Sequence, residues 1–408
     1  MNILILGSSF SAIHNKLKAL GHRLFIIPDP GKKIKIDENA IYEAVHFVQD
    51  VGNIESVALK ICLERSVFNI DRVMAFSERW QLVAARVASE AGLPVIHDVK
   101  LVSRTLDKYS MRKHLDKNDF PTIKFEKITL YSELHDALNR VGFPAVLKPL
   151  SGEASRDIFL LKDEQSYHQL TAILESGLNE AFLVESFVCG DEYSVEAVSY
   201  HNQHHILAIT KKYKNENFVE VGHALPAPLS ASLENQIKHY VTRFLTVMQF
   251  DNCPSHTEII ISLDGPVVIE THTRPGGDNI YRLLELSTGI DLLNLVARIN
   301  TDDLAEIELC KKNKNGYSAV WYSSPEGKEG FILDSVTGVE EAKKRDNIAD
   351  ITLIAQPGDT ARPVKNSFDR SAYAIATGLS ADEALSAARN ALSTIAFTYK
   401  DTEVRQVK

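Results

Sequence analysis

Glu270, His272 and Arg274 occupy alternate positions in the stretch VIETHTRPGGDNI, residues 268–280. Successive strand side chains point to opposite faces, so these three share one face while Thr271 and Thr273 share the other. An acid, an imidazole and a guanidinium on one face, just before Pro-Gly-Gly, could hold a metal or a phosphate. For the stretch taken alone, a solvated edge strand is the ordinary alternative. Upstream lies HTEIIISLDG, a second strand-like run ending in a hairpin turn. A three-residue loop centred on Asp264, with Gly265 as a left-handed bulge, predicts Glu258 opposite Glu270 and His256 opposite His272. A two-residue Asp-Gly loop would send the two glutamates to opposite faces. Opposed carboxylates repel unless a cation sits between them. Mg2+ suits such a pair, since it uses one or two carboxylates with water and phosphate oxygens, and Arg274 could then bind a phosphoryl or carboxylate group in a bidentate manner. A polar surface hairpin with the glutamates apart remains the competing reading.

The elements that would position these residues follow from the patterning. The chain has 408 residues, 44% hydrophobic and 24% charged, which predicts a globular protein of several domains. A net charge of -9 without a long basic run argues against a nucleic-acid partner. Cys62, Cys189, Cys253 and Cys310 show no paired metal or redox spacing and are expected to be reduced and mostly buried. No basic leader and no apolar run long enough to span a bilayer are visible, so the expectation is a soluble cytoplasmic protein with no membrane partner. Residues 1–98 read as strand, Gly-Ser-Ser turn, helix and strand, then again strand and helix, a small doubly wound α/β domain. The dinucleotide glycine fingerprint is absent, which removes the basis for a dehydrogenase reading.

Beyond Thr105 the texture changes. TLDKYSMRKHLDKNDFPT reads as a helix carrying Lys108 and ended before Pro121, and VGFPAVLK as a buried strand ending at Lys148. The loop PLSGEASRD follows, small enough for its backbone to approach phosphates. Glu185 and Glu192 flank FVCG, where acids could meet the amino group and hydroxyls of a nucleoside. The tract HNQHH, with His201, His204 and His205, reads as a solvated turn between strands and not as a metal cluster. The last hundred residues hold strands such as YSAVWYS and a helix opened by Ser380 with Glu383 at capping-box spacing.

The series Lys108, Lys148, small-residue loop, Glu185 to Glu192, Glu258, Glu270 and Arg274 resembles the ATP-grasp fold of carboxylate-amine ligases. The resemblance covers the chain in outline and is strongest over residues 105–305. It implies an α/β and α+β multidomain protein with three parts: a doubly wound domain at 1–98, an ATP-grasp domain at 99–305 with a lid at about 120–185, and a β-rich C-terminal cap at 306–408. It further implies that Lys108, Lys148 and Ser155 bind ATP phosphates, that Glu185 with the backbone of Ser186, Phe187 and Val188 meets adenine, and that Glu192 holds the ribose. Glu258 and Glu270, with His272, would hold Mg2+ or Mn2+, and Arg274 would steady an acyl phosphate.

The segment EVGHALPAPL, residues 220–229, is similar to the one that bacterial L-amino acid ligases place against bound amino acids. On that resemblance Glu220 binds the amino group of the first amino acid, His223 faces the reacting carboxylate, and Gly277 offers its backbone. The implied activity is ATP-dependent joining of two L-amino acids through an acyl phosphate, with amino acids as the small-molecule partners and a homodimer as an option by analogy. Two departures stand out. The family's glycine loop keeps Gly152 but reads Ala154 and Asp157 at the next two positions, and His272 stands where the family often has Asn. Another ATP-grasp ligase of the purine pathway, or a non-catalytic ATP sensor, are the alternatives.

Overall fold

The computed structural model describes residues 1–32, 40–150, 157–173, 180–216, 218–304, 316–324 and 329–401. Its first part is a parallel sheet ordered Tyr42–Val45, Arg23–Ile27, Asn2–Leu6, Arg72–Ala75. Ile3 and Ile5 pack against Ile13 and Leu17 of helix Ser11–Ala19, while Leu4 and Leu6 face the helices Ile54–Leu63 and Glu78–Glu90. Both faces are covered, which is why this strand is apolar at every position instead of alternating.

Two helices, Val99–Leu106 and Lys108–Lys117, replace the single helix expected around Lys108. Asp107 causes the break: its backbone is extended and its carboxylate accepts from the Ser110 amide, capping the second helix. Lys108 lies in a helix, as expected, on its first turn. An antiparallel sheet follows, ordered Phe125–Ile128, Phe182–Ser186, Ala145–Pro149, Phe159–Leu161, and it closes on helix Leu134–Val141 around its own apolar cluster. Gly152, Ala154 and Ser155 lie outside the described residues, and Asp157 has a left-handed φ of 56°.

The largest sheet has eight strands, ordered Gly265–His272, Cys253–Ser262, Asp191–Tyr200, Gln203–Lys214, Glu220–Leu225, Tyr317–Ser323, Ala372–Gly378, Ile348–Leu353. It runs without a break past residue 306, so the expected division there does not interrupt the hydrogen bonding. His201 and Asn202 form the expected exposed turn. Of the cysteines, expected to be mostly buried, Cys62 is buried, Cys253 half-buried and Cys189 exposed; Cys310 lies outside the described residues.

The hairpin at Leu263–Asp264 reaches the expected pairing by another route. Ser262 pairs with Gly265, so the loop has two residues, Leu263 and Asp264, and not three. That register would keep Val268 and Glu270 on the same face by simple alternation, and Val268 packs in the core opposite Ile259. One extra residue, Ile269, enters between Val268 and Glu270 and reverses the parity. Glu258 then faces Glu270, and His256 faces His272. With the neighbouring strand this makes two cross-strand rows on one face, Ser194–Glu258–Glu270 and Glu196–His256–His272.

The strand carrying Glu220 and His223 depends on a close approach. A Cβ on Gly222 would lie 2.3 Å from the Trp321 ring of the paired strand. Gly222→Val is expected to destabilise the protein by about 1–3 kcal/mol through overpacking, read as a lowered midpoint of thermal unfolding.

Candidate active site

The two rows end in a cavity of about 270 Å3, whose wall includes Lys108, Lys148, Lys212, Glu258, Glu270, His272 and Arg274. Lys108 Nζ donates to Glu270 Oε1 at 2.8 Å. Lys212 Nζ lies 2.6 Å from Glu258 and 2.5 Å from Glu220, with Glu192 at 3.5 Å. Burial disfavours the Lys212 charge, but Glu220, Glu258 and Glu192 together hold it well above its ordinary value. Glu258 is driven the other way, well below the usual carboxylate range, because Lys212 and His256 outweigh its burial. The opposed glutamates are therefore neutralised by lysines in the chain itself.

A hard divalent cation nevertheless fits the donor set. Glu258 and Glu270 make these contacts through Oε1, and the Oε2 of each has no hydrogen bond among the described residues. Two such oxygens on one wall of a cavity are what Mg2+ takes from a protein.

Lys148 and Glu185 form a buried pair behind one end of the cavity. The Glu185 carboxylate accepts from Lys148 Nζ at 2.6 Å and from Arg112 Nε at 2.6 Å. Despite burial, those two cations hold it at about 2. Its side chain therefore holds Lys148 and Arg112 together at this end. The amides of Ser186 and Phe187 are taken by the carbonyls of Lys124 and Pro144, which pins the segment leading to Val188. Glu192 is tied to Lys214 at 2.7 Å.

At the other end, His223 is fully buried with Nε2 3.3 Å from Asp278 and 3.7 Å from Glu220. Asp278 receives both guanidinium nitrogens of Arg370, at 2.7 and 2.6 Å, and Arg370 also stacks on the Tyr322 ring at 3.7 Å. Against burial, Arg370 and His223 hold the Asp278 carboxyl far below the usual range. Gly277 lines the cavity, where a Cβ would meet nothing within 4 Å, and its carbonyl accepts from the Ile280 amide at 3.0 Å.

The helix Glu78–Glu90 of the first domain closes the third side. Glu78 is buried and binds His272 Nδ1 at 2.7 Å and Arg274 Nε at 3.2 Å. Gln81 exchanges hydrogen bonds with Thr273. His256 bridges Glu196 at 2.7 Å and Glu258 at 3.2 Å; burial opposes its charge, but Glu196 and Glu258 raise it to about 9.

The structure thus brings Lys108, Lys148, Glu220, Glu258, Glu270, His272, Arg274 and Gly277 to one cavity, with His223 directly behind it. Ser155 lies outside the described residues. Lys212, Asp278, Arg370, Glu78 and Arg112 were not among the sequence candidates. Lys212 and Lys214 alternate in the strand Gln203–Lys214 as Glu270 and His272 do, a signal of the same kind. Nothing local marks Arg370, which arrives from the C-terminal part.

Residues 141–281 match an ATP-grasp domain, and residues 329–400 match the L-amino acid ligase C-terminal domain 2. An L-amino acid ligase from Bacillus licheniformis superposes with a TM-score of 0.82 at 20% identity, over 98% of this chain and 99% of that one. The chain has the ATP-grasp fold. It is 24% identical to an uncharacterised protein of Sinorhizobium fredii over 85% of this chain and 72% of that one. It is 23% identical to alanine–anticapsin ligase of Bacillus subtilis, over 59% of this chain and 56% of the ligase, so only a little over half of that relative is spanned. No helix among the described residues of this ATP-grasp chain is long and apolar enough to cross a membrane.

The Lys212 cluster sets the pH response. Lys212, held above 10.5, contributes stability that is complete below that value and lost above it. Glu258, held below 4.5, contributes stability present above 4.5 and lost as acid protonates it. Lys212→Met is expected to cost about 3–5 kcal/mol near pH 8, because Glu220 and Glu258 would lose the cation between them while Glu192 keeps Lys214. Acidification toward about pH 5 should narrow the gap between the variant and the wild type in thermal or denaturant unfolding, as carboxylate charge on this face is neutralised.

Proposed function

We propose that the protein is an ATP-dependent ligase that joins the carboxylate of one L-amino acid to the amine of another, giving a dipeptide, ADP and phosphate. The observation that carries this reading is a cavity with Lys108 and Lys148 at a cationic end, an opposed carboxylate pair on its wall, Arg274 held by Glu78 on a further side, and the Glu220–His223–Asp278 group, with His223 buried, at its other end. ATP phosphates belong at the cationic end, with the backbone after Glu185 against adenine and Glu192 near the ribose. Glu258 and Glu270 would hold Mg2+, which, when bound, neutralises charge on the phosphate oxygens.

A carboxylate is a poor electrophile because its carbon is shielded by shared negative charge. Transfer of the γ-phosphoryl group to it gives an acyl phosphate, and phosphate becomes the leaving group when the second amine attacks. Arg274, held by Glu78, is suited to bind that acyl phosphate through its remaining guanidinium donors. Glu220 offers a carboxylate to the ammonium of the first amino acid, and Gly277 its backbone. His223, fixed by Asp278, faces the reacting group. The sheet spanning Phe125–Ser186 serves as a lid that excludes water, which would otherwise hydrolyse the acyl phosphate.

Glu270→Ala and Arg274→Ala, each checked for a folded state by circular dichroism, are expected to reduce amino-acid-dependent ADP formation by about 100-fold or more; Glu270→Ala should also lower the unfolding midpoint, because it leaves the buried Lys108 ammonium without the Glu270 carboxylate. Phosphate release over a matrix of amino-acid pairs, with products identified by mass spectrometry, tests the substrate class. Stimulation by purine ribotides instead, or tight ATP binding with no turnover on any pair, would overturn it.

A further inference from the structure

His256 and His272 are cross-strand partners whose rings lie 5.9 Å apart and within 19° of parallel. Each is gripped through Nδ1 by a buried carboxylate at 2.7 Å: His256 by Glu196, His272 by Glu78. Their outer nitrogens differ. His256 Nε2 lies 3.2 Å from Glu258, so that ring bridges two carboxylates and both of its nitrogens are engaged. His272 Nε2 lies 3.6 Å from Glu270 Oε1, beyond hydrogen-bonding reach, and has no hydrogen bond among the described residues. His272 lines the cavity beside Glu270.

A carboxylate on Nδ1 fixes the ring orientation, keeps the proton on that nitrogen, and leaves the Nε2 lone pair for a metal. Imidazole nitrogen suits first-row transition metals, whereas Mg2+ favours oxygen ligands and retained water. We propose that His272, oriented by Glu78, is a nitrogen ligand of the divalent cation held on Glu270, so that this site prefers Mn2+ to Mg2+. This rests on the reading of Glu258 and Glu270 as the metal-holding pair. Glu78 belongs to the first domain, so metal choice depends on how that domain docks. The same carboxylate binds Arg274, and one buried acid therefore positions both a metal ligand and an anion-binding group.

The test uses the full chain with Mn2+ and ADP, prepared with 15N-labelled histidine so that ring nitrogen is separated from adenine in pulsed electron paramagnetic resonance. Wild type should show 15N coupling to bound Mn2+. His272→Asn should still bind Mn2+ but lose the coupling, and its Mn2+ over Mg2+ preference in equilibrium titration should fall about tenfold or more. Glu78→Gln should weaken Mn2+ binding by about 10–100-fold. Bound Mn2+ with no histidine coupling, or coupling that survives in His272→Asn, overturns the nitrogen ligand and leaves the glutamate pair standing. Absence of bound Mn2+ overturns both. Neither result bears on which substrates are joined, which the product matrix decides separately.

Discussion

One buried ammonium governs the chemistry of this face. Lys212 is shared among Glu192, Glu220 and Glu258, and without it three carboxylates from three strands would crowd together with no cation between them. Lys108 does the same for Glu270, and the Lys148–Glu185–Arg112 group repeats the pattern at the cationic end. Charges packed so closely are stable only as sets. The positions of the individual groups are consequently stiff, which a site for phosphoryl transfer requires, since its contribution is positioning and fixed charge.

The sets are also what hold distant parts of the chain together at the cavity. Glu78 reaches His272 and Arg274 from the first domain, and Arg370 reaches Asp278 from the C-terminal part. One link ends on the buried carboxylate of Glu78 and the other on the half-buried carboxylate of Asp278, so separating the parts would expose or strand charge. The eight-stranded sheet adds a mechanical tie, because its Tyr317–Ser323 strand pairs directly with the strand bearing Glu220 and His223. The site is a property of the assembled chain and not of the ATP-grasp segment alone.

Much of this was legible beforehand because strand alternation and turn residues act locally. The pairing of Glu258 with Glu270 was readable from two alternating runs and the Leu-Asp-Gly turn between them. The route was not: a two-residue loop with a bulge at Ile269 replaces the three-residue loop, and the choice depends on Val268 packing opposite Ile259 in the core. Glu185 illustrates another limit. Its position after FLV was visible, but its role toward Lys148 and Arg112 depends on a helix and a strand distant in sequence.

By itself the sequence determined which segments are strands and helices, which residue types face a common side, and the order of motifs that marks an ATP-grasp chain. These follow from periodicity and local backbone preference, which need no partner. Only the tertiary structure decided which cation neutralises which acid. Lys212 among three glutamates, Glu78 on His272 and Arg370 on Asp278 are contacts between elements far apart in the chain. Electrostatic pairing in a buried face is fixed by distance in space, and distance along the chain carries almost no information about it.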